Sequence, residues 1–225
     1  MGFISVAVDG PSGAGKSTMA KRLAEALGYV YVDTGAIYRT LGLLARRSGT
    51  DPEDAQAVSE LLKRADIQLR YEADGLQHML LSGEDVTAEI RLPEISQCAS
   101  AVSAQPAVRA FLLDMQRDMA KHFNVIMDGR DIGTVVLPDA QAKIFLTATP
   151  EDRASRRCAE LEDRGTPQDY ETVLAEIVER DRKDSTRAAA PLRRAEDAVL
   201  VDTTGKSLDE SFAILLDAIR RKLEA

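Results

Sequence analysis

Gly10-Pro11-Ser12-Gly13-Ala14-Gly15-Lys16-Ser17 is the stretch whose reading decides the fold. It follows the apolar run Phe3-Ile4-Ser5-Val6-Ala7-Val8 and precedes a pattern in which Met19, Leu23 and Leu27 recur at helical spacing before Gly28. A strand, a G-x-x-x-x-G-K-[ST] loop and a helix in that order form a phosphate-binding P-loop. The glycines let the backbone curl so that successive N–H groups face phosphate oxygens, and the helix presents its positive N-terminal end to them. Gly10 through Ser17, with Thr18, are therefore the candidate contacts to the phosphates of a bound ATP or GTP. Lys16 is expected to reach the transferring phosphates and Ser17 to ligate Mg²⁺.

Working outward, Tyr29-Val30-Tyr31-Val32 reads as a second strand, which completes a βαβ unit and predicts a parallel sheet. Asp33-Thr34-Gly35 closes that strand, and Ala36-Ile37-Tyr38-Arg39 opens a helix running to about Ser48. Ligands of open α/β sheets gather at the carboxyl ends of strands, so Arg39 either faces a bound anion or is a solvated helix arginine. Asp51 to Ala65 reads as a helix capped by Asp51, with Pro52 at its first position. The pattern then changes. Ile67 to Tyr71 alternates, Ala73-Asp74-Gly75 is turn chemistry, Leu76 to Leu81 returns, and Asp85-Val86-Thr87 is strand-like. These segments predict an antiparallel β insertion, about 66–91, outside the main sheet.

Pro93–Ala104 and Pro106–His122 read as helices, the second with Val108, Phe111, Leu112, Met115 and Met119 on one face; Ser100 and Arg109 lie on this pair. Val125-Ile126-Met127 is a buried-type strand ending in Asp128-Gly129-Arg130-Asp131-Ile132-Gly133-Thr134. An acidic residue there can hold the hydration shell of a P-loop Mg²⁺, so Asp128 is a candidate through water, a turn-forming Asp-Gly being the alternative. Lys143 to Thr147 is a further strand, and Thr149-Pro150-Glu151 starts a helix. That helix carries Arg153 and Arg157 on one face, with Arg156 beside them; after the loop Arg164-Gly165-Thr166-Pro167, a helix from about Asp169 carries Arg180, Asp184 and Arg187. The two arginine-bearing helices look like a lid that closes over phosphates, or else their arginines pair with acids of their own helices. Val199 to Asp202 is the last strand, and Ser207 caps an amphipathic helix through Phe212, Leu215, Leu216, Ile219 and Leu223.

With 225 residues the chain can bury a substantial core, and its formal net charge of −8 argues against a broad face for nucleic acid or anionic membrane. Cys98 and Cys158 lie 60 positions apart, outside any C-x-x-C pair, and with His78 and His122 they read as structural. No apolar run approaches the ~20 residues needed to span a bilayer, and no leader pattern opens the chain. The expectation is a cytoplasmic protein, acting as a monomer, whose partners are small-molecule nucleotides.

Taken in order, the P-loop, Asp33-Thr34-Gly35-Ala36-Ile37-Tyr38-Arg39, Asp128 to Thr134, and Arg180 through Arg187 followed by Ala190-Pro191 resemble the bacterial cytidylate kinases over essentially the whole chain. The resemblance implies an α/β P-loop fold with a five-stranded parallel sheet flanked by helices, in three parts. These are a core (about 1–33, 123–150 and 197–225), a monophosphate-binding lobe (about 34–122) and a helical lid (about 151–192). It also implies Mg²⁺-assisted transfer of the γ-phosphoryl group of ATP to CMP or dCMP. Carried over residue by residue, Arg39, Arg130 and Arg187 would hold the acceptor phosphate, Arg180 and Asp184 the ribose, and Ser100, Arg109 and Asp131 the cytosine. Lys16, Arg130 and Arg187, with the lid residues Arg153 and Arg157, would form the catalytic set. Thr34 stands where the family has serine and keeps its hydroxyl. A P-loop kinase of another monophosphate or a small alcohol, and a nucleotide-binding regulator without turnover, are the competing readings.

Overall fold

The computed structural model describes residues 2–72, 75–163 and 165–224, with nothing stated of the Pro93 side chain. Its elements are β1 (Ser5–Asp9), α1 (Lys16–Leu27), β2 (Val30–Asp33), α2 (Thr34–Arg47), α3 (Ala55–Leu62), β3 (Ile67–Tyr71), β4 (Gln77–Leu81) and β5 (Glu84–Asp85). They continue with α4 (Pro93–Ser103), α5 (Pro106–His122), β6 (Val125–Gly129), β7 (Ala142–Thr147), α6 (Pro150–Asp163), α7 (Tyr170–Thr186), β8 (Val199–Asp202) and α8 (Leu208–Glu224). Contacts divide the chain into a unit of residues 1–31 and 120–225 and a second of residues 32–119.

The first unit is built on the expected five-stranded sheet, in the order β2-β6-β1-β7-β8. β1 lies between β6 and β7 and runs parallel to both, and β8 runs parallel to β7. All five residues of β1 and of β6 are buried, as strands covered on both faces require. Val6, Val8, Ile144 and Leu146 pack with Met19 and Leu23 of α1 and Leu215 and Ile219 of α8. α8 begins with a reciprocal cap: Glu210 N–H donates to Ser207 Oγ at 3.2 Å, while Ser207 N–H donates to Glu210 Oε2 at 2.8 Å. α6 and α7 bury a small cluster of their own, Ala154, Leu161, Val173 and Ile177. The Arg164 end of the expected 164–167 loop lies outside the described residues.

The second unit holds the expected β insertion as a three-stranded antiparallel sheet, β3-β4-β5. Its core joins Ile37 and Leu41 of α2 to Met79 and Leu81 of β4 and to Leu112 of α5. α2 approaches α4 closely enough that a Cβ at Gly42 would fall 2.8 Å from the backbone nitrogen of Ala99. Three expectations shift. The helix expected from Asp51 starts at Ala55, because the Asp54 carboxylate accepts from Gln56 and Ala57 N–H, whereas Asp51 accepts from Glu53 N–H in the turn before it. The last strand of the insertion is Glu84–Asp85, one residue before the expected stretch, since the Asp85 side chain accepts from Thr87 N–H and turns the chain. Phe111 is 40% exposed rather than in the α5 core face, which Val108 and Leu112 occupy. Ala73 and Asp74 of the expected turn lie outside the described residues.

Candidate active site

The loop between β1 and α1 is shaped by contact with its own sheet. A Cβ at Gly10 would stand 1.9 Å from the Leu146 carbonyl oxygen, so only glycine lets the chain leave β1 against β7. The loop ends at Gly15, which precedes α1 in a left-handed conformation and offers no side chain to cap it. The N-cap position of α1 thus supplies no side-chain acceptor to the first N–H groups of the helix, which suits an incoming anion. Lys16 is buried, and its ammonium donates to the Pro11 carbonyl at 2.6 Å. Burial holds the Lys16 pKa well below its ordinary value, and the charges of Arg130 and Arg180 push the same way against Asp128 and Asp9.

Ser17 Oγ donates to Asp128 Oδ2 at 2.9 Å, and Tyr31 OH donates to Asp128 Oδ1 at 2.9 Å. A hydroxyl and a buried carboxylate, both hard oxygen donors, therefore meet at the start of α1. Asp9, at the end of β1, accepts from Ile132 N–H at 2.8 Å and Gly133 N–H at 2.7 Å. This ties the turn of π-helix at Ile132–Val136, just after Arg130 and Asp131, to the root of the P-loop. Burial pushes the Asp9 pKa up to about 6, against the pull of those two backbone donors.

Past β6, charged side chains converge. Arg130 Nε donates to Asp184 Oδ2 at 2.9 Å, and Arg187 reaches Asp131 Oδ1 at 3.6 Å and Asp184 Oδ1 at 4.0 Å. Burial raises the Asp184 pKa, but Arg130, Arg180 and Arg187 outweigh it and hold the carboxyl below its ordinary value. α7 does not extend to Arg187, whose backbone is extended; the side chain is directed instead by its bond from Nε to the Ala190 carbonyl, 2.6 Å. The arginines of α6 part company. Arg153 is buried against Ser12, Ala148 and Asp181, Arg156 donates to the Thr203 carbonyl, and Arg157 pairs with Glu160 at 2.9 Å.

In the second unit, Arg39 pairs with Asp33 at 3.0 Å, and Arg91 reaches the same Asp33 oxygen at 2.8 Å. Burial raises the Asp33 pKa, and the two arginines overcome it to leave it lowered. Thr34 is buried at the first position of α2, whose N-cap is Asp33. Ser100 and Arg109 are joined through Ser103, whose hydroxyl donates to the Ser100 carbonyl while its own carbonyl accepts from Arg109 Nη1 at 3.2 Å. The Arg109 guanidinium also lies 5.5 Å from the centre of the Tyr38 ring.

Asp9, Tyr31, Arg91 and Asp181 escaped the sequence reading. Asp9 carried a usable signal, a carboxylate closing a buried strand next to the loop glycine; the others become visible only through their partners. Both cysteines are without a disulfide, and among the described residues no helix is long and apolar enough to cross a membrane.

A parallel five-stranded sheet with an uncapped helix behind a glycine loop, a buried lysine and a hydroxyl–carboxylate pair defines a P-loop phosphotransferase. A gluconokinase from Sinorhizobium meliloti 1021 shares the fold, with a TM-score of 0.50 and 17% identity over 98% of this chain and 94% of that one. The chain belongs to the cytidylate kinase family, whose model matches residues 6–221. It is 51% identical over 214 residues to a cytidylate kinase of Caldicellulosiruptor bescii, covering 95% of this chain and 94% of the relative. It is 48% identical over 217 residues to a cytidylate kinase of Carboxydothermus hydrogenoformans, covering 96% and 97%.

Proposed function

We propose that the protein transfers the γ-phosphoryl group of ATP to CMP or dCMP, yielding ADP and CDP or dCDP. The observation that carries this beyond family membership is the convergence of Arg130, Arg180 and Arg187 on the buried pair Asp131 and Asp184. Phosphoryl transfer between two anions needs positioning and charge neutralisation rather than a covalent nucleophile, and such a cluster supplies both.

Ser17 Oγ and the Asp128 carboxylate suit Mg²⁺, which takes oxygen ligands, keeps several waters and needs only one or two protein groups. When bound, Mg²⁺ neutralises charge on the β- and γ-phosphates. In this reading Gly10 to Thr18 bind ATP, with Lys16 on the transferring phosphates. Arg130 and Arg187 take the acceptor phosphate, Arg180 and Asp184 the ribose, and Asp131 the cytosine amino group. In the second unit we assign Arg39 to phosphate, Ser100 and Arg109 to the base, and to Thr34 the contact of the family's serine. Cytosine presents a donor where uracil presents an acceptor, so a carboxylate attracts one and repels the other. We take residues about 151–192 as the lid, 34–122 as the monophosphate-binding lobe and 1–33, 123–150 and 197–225 as the core; the separate cluster of α6 and α7 supports the lid as a packing entity.

ADP release measured with CMP, dCMP, UMP, AMP and GMP tests the reading. CMP and dCMP are expected to lead. A preference for another monophosphate overturns the base assignment, and ATP binding without ADP release on any acceptor overturns the enzyme.

A further inference from the structure

We propose that Arg153 is a positioning residue that clamps the P-loop to α7, and not a lid arginine that touches the transferring phosphates; this rests on the phosphotransferase reading above. Helical spacing puts Arg153 on one face with Arg157, yet their environments differ. The Arg157 side chain is 35% exposed and pairs with Glu160 one turn away, whereas the Arg153 side chain is 3% exposed.

Every guanidinium nitrogen of Arg153 is engaged. Nε donates to the Ala148 carbonyl at 2.9 Å, and Nη1 donates to the Ser12 carbonyl at 2.9 Å and to Asp181 Oδ1 at 3.1 Å. Nη2 donates to Asp181 Oδ2 at 2.6 Å, making the carboxylate contact bidentate. The side chain also runs beside Gly13, where an added Cβ would lie 3.5 Å from Arg153 Cβ. To meet a phosphate, Arg153 would have to leave two carbonyls and a carboxylate behind, and breaking such a buried pair is strongly unfavourable.

The contact with Ser12 has a geometric consequence. In a trans peptide the carbonyl of one residue and the N–H of the next point in opposite directions. Holding the Ser12 oxygen toward Arg153 therefore aims the Gly13 N–H away from it, and keeps a carbonyl from facing the phosphates. Asp181 extends the effect to α7, because it adjoins Arg180 and precedes Asp184 by three residues on the same helix. The clamp thus ties the shape of the ATP loop to the helix carrying two of the proposed acceptor contacts. Asp181 is the decisive partner, since the reading gives it no nucleotide to touch.

The test compares Arg153→Lys, Asp181→Asn, Asp181→Glu and the double variant Arg153→Lys/Asp181→Asn. The readouts are the affinity for a non-hydrolysable ATP analogue and the KM and kcat for both substrates. A clamp predicts that Arg153→Lys and Asp181→Asn each weaken analogue binding by about tenfold, that the double variant is little worse than either, and that KM rises more than kcat falls. Asp181→Glu, which keeps the charge, should recover part of the loss. Wild-type analogue affinity in a folded Asp181→Asn overturns the proposal, and so does a loss confined to kcat in Arg153→Lys. Should Arg153→Lys not fold, the two Asp181 variants decide. Analogue binding needs no CMP turnover, so failure of the CMP assignment would appear in the wild-type assay and leave this comparison readable.

Discussion

Ser17 Oγ donates to Asp128 Oδ2 at 2.9 Å, joining the first turn of α1 to β6 across 111 positions of sequence. Tyr31 holds the other carboxylate oxygen, so Asp128 is oriented from two sides before any ligand arrives. Asp128→Asn keeps the size of the side chain and removes the charge. We expect the Mg²⁺ concentration for half-maximal activity to rise by at least about tenfold, with kcat down about 10²-fold or more. An Mg²⁺ titration of the ADP-release assay checks this, and Tyr31→Phe should show a smaller shift in the same direction.

Lys16 is buried, and burial together with the charge of Arg130 holds its pKa well below the ordinary value. Bound phosphate favours the charged ammonium, so the pKa should rise on ATP binding and protons should be taken up at alkaline pH. Calorimetry in buffers of different ionisation enthalpy measures that uptake. Lys16→Met should abolish it and reduce turnover by about 10³-fold or more while leaving the circular dichroism spectrum unchanged.

Asp131 is buried, with Arg187 at 3.6 Å. Replacing it by alanine removes the proposed acceptor for the cytosine amino group and the repulsion toward uracil. The kcat/KM ratio for CMP over UMP should fall by about 10²-fold or more, chiefly through loss of CMP activity. An unchanged ratio would remove Asp131 from base recognition.

Burial pushes the Asp9 pKa up to about 6 in the folded protein, from an ordinary value of 3.8. The folded state therefore holds this proton more tightly than the unfolded chain. Its contribution to stability is greatest below about pH 4 and is lost as pH rises toward 6. Asp9→Asn should flatten that part of the stability curve, measured by denaturant unfolding between pH 4 and 7. Because the amide accepts through one oxygen only, one of the bonds to Ile132 and Gly133 is lost, and KM for CMP should rise.

Gly42 lies within α2, where alanine would ordinarily stabilise a helix. Its missing Cβ makes room for the α4 backbone, with Ala99 Cα 3.1 Å and Cys98 C 3.2 Å from where that carbon would sit. Gly42→Ala should destabilise the protein by about 1–3 kcal/mol in thermal or denaturant unfolding, overpacking outweighing propensity.

The P-loop, the alternation of strands with helices and the antiparallel insertion are legible along the chain because each rests on local rules. Gly10 to Ser17 encode a turn and a helix start; β1 and β6 are short apolar runs; Ile67 to Tyr71 and Gln77 to Leu81 pair across a short connection. Asp51 misled because it and Asp54 are equally good caps by residue type; Asp51 closes the turn on Glu53 N–H, and Asp54, accepting from Gln56 and Ala57 N–H, starts the helix. Phe111 misled because helical spacing marks a face without giving the width of its buried part.

By itself the sequence determined the kind of chemistry: a glycine loop, a lysine and a serine at fixed spacing suffice to cradle phosphate, since neighbouring residues build that cradle. Only the tertiary structure decided which charges meet. Asp128 meets Ser17, Asp184 meets Arg130, Asp9 holds the turn after Asp131, and Arg153 faces Asp181 instead of joining Arg157. The physical reason is that a charged side chain has no partner written beside it in the chain. Burial makes an unpaired charge intolerable, and the sheet and α7 settle which distant residue satisfies it.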